Sequence, residues 1–264
     1  MMCVVGDVWG VTQLHDVVFM VCARSTTILR FNATTHQRLT DIVVNNFRDP
    51  RDIAACEQTS HVYVTDSGCI WRVSADGADT RNWIPRSPGD VFEPWTLSVT
   101  STRLLVTSGT KQLRQFDADG NELRRVHLPD YMNPRHAVES PTGTFIVGHF
   151  NTQLNQRQVT EVNTGGEVLR QFTGSRLSSL GWPAQVAVDS RGNIFVADHG
   201  NRCILLLDAH LTLRRVIIDE RQLNRRRPYS LCYREQSGQL LVGFYRDDYY
   251  MHDSRSMSVF DVVR

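Results

Sequence analysis

Five prolines, Pro50, Pro94, Pro134, Pro183 and Pro228, stand 44, 40, 49 and 45 residues apart, and each opens the same local pattern. A period of that length constrains the fold more than any single residue, because each copy must be one small unit that buries its apolar face on its neighbours. The clearest copy runs Trp182-Pro183-Ala184-Gln185-Val186-Ala187-Val188-Asp189-Ser190-Arg191-Gly192-Asn193-Ile194-Phe195-Val196-Ala197-Asp198. After a short gap it continues Asn201-Arg202-Cys203-Ile204-Leu205-Leu206-Leu207-Asp208. It reads as strand, glycine turn, strand, polar loop, strand. Pro50-Arg51-Asp52-Ile53, Pro94-Trp95-Thr96-Leu97, Pro134-Arg135-His136-Ala137 and Pro228-Tyr229-Ser230-Leu231 each precede a second apolar run in the same way. A degenerate first copy begins Val8-Trp9-Gly10-Val11. That makes six copies.

Each copy carries a third apolar run, at residues 28–31, 70–73, 113–116, 159–162, 204–207 and 257–260. Asp76-Gly77, Asp119-Gly120-Asn121 and Gly165-Gly166 then supply turn residues that accept positive φ, and a more polar fourth strand follows, as in Glu122-Leu123-Arg124-Arg125-Val126. Four antiparallel strands every 40–50 residues is a propeller blade, and six blades account for residues 1–264 as a single all-β domain. The last copy stops at Val262-Val263-Arg264, straight after its third strand, while Met2-Cys3-Val4-Val5 precedes the first copy with no unit of its own. The expectation is a ring closed by the N-terminal strand completing the last blade, so that deleting residues 1–5 destabilises the whole.

The residues from Pro183 to Asp208, with the pattern PxxVAVDSxGNIFVADxxNxxI, resemble an NHL repeat, and the other five copies are weaker versions of it. The resemblance covers nearly the whole chain. It implies a C-terminal propeller of the kind found in TRIM-type ubiquitin ligases, where it binds RNA or protein partners. A peptide-amidating lyase that uses zinc shares the fold, and the fold alone does not choose among these activities. No RING, B-box or coiled-coil segment lies in this chain.

Composition removes several classes. The longest apolar stretches fall far short of the ~18–20 residues a membrane span needs, and the first residues lack the basic start of a signal peptide. Six cysteines are scattered without a CxxC pair, which reads as reduced, mostly buried thiols in a cytoplasmic protein; the lone Asn32-Ala33-Thr34 sequon does not outweigh that. With 29 basic against 28 acidic side chains, the net charge of +1 gives no footprint for duplex DNA. Lys111 is the only lysine, so the remaining cations are arginine. Arginine suits bidentate recognition and stacking, and a GC-rich genome favours its codons as well.

The residue after each proline should stand at the mouth of the central channel, on the face that also gathers the loops between second and third strands. Across the copies it is Trp9, Arg51, Trp95, Arg135, Ala184 and Tyr229. Aromatics interleaved with arginine suit single-stranded RNA, whose bases stack on rings and guanidinium groups, and equally the hot spots of protein interfaces. Against both stands simple packing between blades, with the arginines answered by Asp49, Asp52 and Glu93. His136 and Arg202 belong to the same face, and so does a loop at residues 244–256 containing Tyr245, Arg246, Tyr249 and Tyr250. A second long loop is expected at residues 149–157. Arg225-Arg226-Arg227 would add positive charge, diluted by Asp66, Asp198, Asp247 and Asp248.

For an enzyme, His136, His149 and Asp198-His199 come nearest to a zinc cluster, but the residue after the proline is never histidine, as the lyase resemblance would want. Glu139 is one odd acid on an inner strand, expected to pair with an arginine rather than to hold calcium as in lactonase-like propellers. No GxSxG elbow occurs. The sequence therefore points to a monomeric binding scaffold without catalytic residues, metal or cofactor. The expected partner is a protein, with single-stranded or hairpin RNA as the alternative and a metal-dependent lyase or lactonase as the third reading.

Overall fold

The computed structural model describes residues 7–85, 89–101, 103–173, 185–245 and 257–262, and every regular element among them is a strand. Blade one is β1 (Val8–Leu14), β2 (Val17–Cys22), β3 (Thr27–Asn32) and β4 (Ile42–Val43). Blade two is β5 (Asp52–Cys56), β6 (His61–Asp66), β7 (Cys69–Ser74) and β8 (Thr80–Ile84). Blade three is β9 (Pro94–Thr100), β10 (Arg103–Ser108), β11 (Gln112–Phe116) and β12 (Glu122–His127). Blade four is β13 (Met132–Glu139), β14 (Phe145–Asn151), β15 (Gln156–Val162) and β16 (Val168–Phe172). Blade five is β17 (Val186–Val188), β18 (Ile194–Asp198), β19 (Cys203–Leu207) and β20 (Leu213–Ile218). Blade six has three described strands, β21 (Arg227–Arg234), β22 (Gln239–Tyr245) and β23 (Met257–Asp261). Each sheet is an antiparallel meander in chain order. The first strands touch in the order β1, β5, β9, β13, β17, β21 and back to β1, which closes a six-bladed β-propeller. The expected closing strand at Met2–Val5 lies outside the described residues.

Six wedges replace a central core. Val62, Val64 and Trp71 of blade two pack on Phe19, Val21 and Ile28 of blade one, and each later pair of neighbours repeats the arrangement. The sixth wedge joins Leu241 and Met257 of blade six to Val8, Val11 and Met20 of blade one. Middle strands are covered on both faces, which is why β2 (VVFMVC) and the first four residues of β18 (IFVA) read as unbroken apolar runs. The outer β12 (ELRRVH) faces water and keeps only Val126 buried.

Turn chemistry is shared between blades. Asp117, Asn163, Asp189 and Asp208 each accept two backbone N–H groups two and four residues ahead, closing the tight turn that follows. In the Asn163 turn Gly166 sits at φ 90°, and a Cβ there would meet the His127 carbonyl oxygen of blade three, so no other residue fits. The sequence expectation of a long loop at residues 149–157 is corrected: β14 and β15 pair as far as Asn151↔Gln156, leaving only residues 152–155 as the hairpin. Asn151 accepts from the amides of Gln153 and Leu154 and so sustains a polar extension of the blade. Cys22, Cys56, Cys69 and Cys232 are free, and burial pushes the Cys22 and Cys69 thiols up to about 12 and about 11, leaving them inert. Among the described residues no helix is long and apolar enough to cross a membrane.

Candidate functional site at the channel mouth

Proline has no N–H to give a ladder, so Pro94, Pro134 and Pro228 sit at or near the start of their inner strands, and the residue after each falls out of register. Val8 and Gly10 pair with adjacent residues of β2, and the same shift occurs at Pro134/His136 and Pro228/Ser230; on β9, Pro94 and Thr96 pair with Ser108 and Thr107. Trp9, Trp95, Arg135 and Tyr229 are therefore bulge residues. With Arg51, Asp49 and Thr96 they line a cavity of about 190 Å³ at the mouth.

Trp95 carries the Arg135 guanidinium 4.9 Å and the Arg51 guanidinium 5.8 Å from its ring centre. Opposite them, Trp9 and Tyr229 lie 6.2 Å apart, Tyr229 and Tyr245 6.0 Å, and Tyr245 and His199 6.0 Å, making an aromatic arc that crosses from blade one to blade five. Arg51 is answered by Glu93 at 3.1 Å and Asp49 at 3.5 Å, and Arg202 by Glu220 at 2.9 Å. Among the described residues Arg135 finds no carboxylate, only the Trp95 ring and the nearby Tyr229, and burial lowers its pKa. Burial, followed by the charge of Asp52, raises that of Tyr229. Arg246, Tyr249 and Tyr250 lie outside the described residues, as does Ala184.

His136 is not on the surface of this face. It belongs to a second row, one residue further along each strand, made of Gly10, Asp52, Thr96, His136, Gln185 and Ser230. Asp52 accepts from the amides of Ile53 (2.9 Å) and Leu97 (3.0 Å) and from Gln185 Nε2 across the channel (3.5 Å). His136 Nδ1 accepts from the Val186 amide, and Gln185 Oε1 from the Leu231 amide. Thr96 Oγ1 donates to the Arg135 carbonyl. Asp52, Thr96, His136 and Gln185 thus each reach the backbone of the next blade, whereas the buried Ser230 hydroxyl has no partner among the described residues. Because Nδ1 accepts, the ring proton sits on Nε2, 4.0 Å from Asp52 Oδ2. Burial raises Asp52 to about 7 and lowers His136 to about 4, so between those two pH values both groups are neutral rather than an ion pair. Sequence reading missed this row; the signal available was that the position two beyond the proline is polar or glycine in every copy.

A cavity of about 400 Å³ occupies the far end of the channel beneath that row. Glu139 there is bound by Arg103 at 2.8 Å and Gln115 at 2.9 Å, the arginine pairing the sequence suggested. His149 bonds Thr160, whereas neither ring nitrogen of His199, 1% exposed, has a partner. Burial, then Arg227, Arg157 and Arg202, push His199 down to about 4. Among the described residues no three histidine, cysteine or carboxylate side chains come together as metal ligands.

No known protein family matches the sequence, and no curated protein matches it. Solved structures do match. A gluconolactonase of Xanthomonas campestris superposes with a TM-score of 0.71 at 13% identity, over 92% of this chain and 85% of that one. A protein of unknown function from Bacteroides caccae gives 0.70 at 15%, over 92% and 89%. A catalytically inactive virginiamycin B lyase of Staphylococcus aureus, solved with quinupristin, gives 0.67 at 12%, over 97% and 80%. At such identities the likeness carries the propeller fold and nothing of the activity.

Proposed function

We propose that this chain is a non-enzymatic binding module, an NHL-type propeller of the TRIM-like kind, that recognises a protein partner through the mouth of its channel. The observation that carries the reading is the cavity walled by Trp9, Trp95 and Tyr229 and rimmed by arginines. It is sized for a side chain and built from the residue types that dominate protein hot spots. A phosphate backbone needs several uncompensated cations in a row. Here Arg51 and Arg202 are already answered by carboxylates, which favours a protein over single-stranded RNA. Inert free thiols fit a reducing, cytoplasmic setting.

Affinity capture from cell extract, with Trp95→Ala beside the native chain and with and without ribonuclease, tests this. Proteins retained by the native chain, lost by Trp95→Ala and indifferent to ribonuclease are expected. Capture abolished by ribonuclease, with affinity for pooled single-stranded RNA falling by about 0.7 log units per phosphate neutralised for each log unit of salt, would replace the reading with RNA recognition.

A further inference from the structure

Partly buried arginines in this protein reach an oxygen acceptor almost without exception. Arg30, Arg51, Arg72, Arg103, Arg114 and Arg202 all do, most of them to carboxylates. Arg135 and Arg157 do not: each is half-buried, and among the described residues neither has an ion pair or a side-chain hydrogen bond. Both belong to blade four. Arg135 is the bulge residue of β13, and Arg157 pairs with Phe150, which pairs with Asn133, so it stands two strands out from the mouth at the same end of the blade. Val159, two residues on and therefore on the same face, packs in the wedge between blades four and five. Arg157 consequently leaves the sheet on the side of Asp198 and His199.

From these placements the geometry points to a carboxylate-bearing peptide segment as the ligand of the mouth, with acidic side chains received by Arg135 and Arg157. This deepens the protein-binding reading above and rests on it. The Arg135 guanidinium lies over the Trp95 ring 4.9 Å from its centre and, among the described residues, has no acceptor on its N–H groups, which leaves them for a carboxylate able to take two of them at once. Arg157 feels Arg135 as a like charge, so the two guanidinium groups raise each other's cost in a desolvated setting, and an incoming anion relieves both. A phosphate dianion is disfavoured by charges already present: Asp49 lines the same cavity and Asp198 lies within range of Arg157. The aromatic walls cover the methylenes of a glutamate. His199, buried with both ring nitrogens unanswered, stands beside Arg157 with hydrogen-bonding capacity for the peptide backbone.

The probe is the blocked tripeptide acetyl-Glu-Glu-Glu-amide, titrated into the full chain labelled with ¹⁵N at tryptophan, and read from the indole N–H signals of Trp9 and Trp95. Saturable shifts are expected with this peptide and none with its Gln-Gln-Gln counterpart. Arg135→Gln and Arg157→Gln should each weaken binding at least fivefold, while Arg214→Gln, an outer-strand arginine paired with Asp208, leaves it unchanged. Unmoved signals from the remaining tryptophans show that each variant is folded. No shift with the acidic peptide, equal shifts with the glutamine peptide, or retention in both arginine variants overturns the inference. So does inorganic phosphate shifting the same signals at lower concentration. A Trp95-dependent protein capture alongside a silent titration would sink the carboxylate inference alone; loss of both would sink the protein-binding reading too.

Discussion

Two rows of side chains stand one residue apart on the same inner strands and live under opposite rules. In the inner row, Asp52, Thr96, His136 and Gln185 each answer a backbone group on a neighbouring blade, and the row is almost fully satisfied. In the outer row, Arg135 has no acceptor among the described residues, and the indole nitrogens of Trp9 and Trp95 are buried without one there. Satisfied polar groups hold a structure together, and unsatisfied ones are expensive unless something else completes them. The contrast separates what closes the ring from what the proposed binding function would use.

The largest effect expected from breaking that separation comes from Asp52→Leu. It strips the acceptor from two buried amides and should cost about 2–4 kcal/mol in chemical denaturation. Trp95→Ala should cost less stability and nevertheless abolish partner capture. If Trp95→Ala destabilises the fold more than Asp52→Leu, the division of labour fails.

Acid titration of stability probes the inner row next. Between about pH 4 and 6.5 the folded pair carries one proton, on Asp52, and the unfolded pair also carries one, on His136, so their contributions to the slope cancel. Asp52→Asn leaves only a histidine whose folded pKa is depressed, so relative to the native chain its stability should rise with pH across that window. His136→Asn leaves only a carboxyl whose folded pKa is raised, so its stability should fall as pH rises from about 4 to 7. The swing is on the order of 3 kcal/mol for each. Denaturation midpoints of both variants that move in parallel with the native protein would mean that the two groups do not titrate as a buried pair.

Gly10→Ala comes third. An added Cβ would sit 2.6 Å from the Ile53 amide nitrogen and 2.7 Å from Asp52 Oδ1, so the clasp must shift, at a cost of about 1–3 kcal/mol seen as a lower melting temperature. Arg135→Gln is the smallest: with only a stacking contact to lose, stability should change by less than about 1 kcal/mol in calorimetry. A larger loss would show that the outer row supports the ring as well.

The ring itself was legible because its cause is local. Apolar runs, Asp-Gly turns and prolines recur with a period that survives in a single sequence, and all six blades stand where that period put them. The mouth residues were legible for the same reason, since the proline marks the bulge that follows it. Polarity misled at residues 149–157, where Thr152, Gln153 and Asn155 look like loop although the ladder runs up to them; an arm beyond the edge of the blade is wet on both sides and needs no apolar alternation. The clasp was harder to see. Asp52 and Gln185 meet across the channel from positions 133 residues apart, a proximity that exists only after closure. Arg157 carried no sequence signal, because what distinguishes it is the missing acceptor.

The bulges have an evolutionary consequence. A side chain that stands outside the ladder can be exchanged without altering any bond that defines a strand, so Trp9, Trp95, Arg135 and Tyr229 form a short rewritable address on a fixed frame. If the mouth binds a protein as proposed, drift at four codons would redirect it to a new client while its fold stayed under unchanged selection, and a library randomised there is the natural starting point for retargeting it.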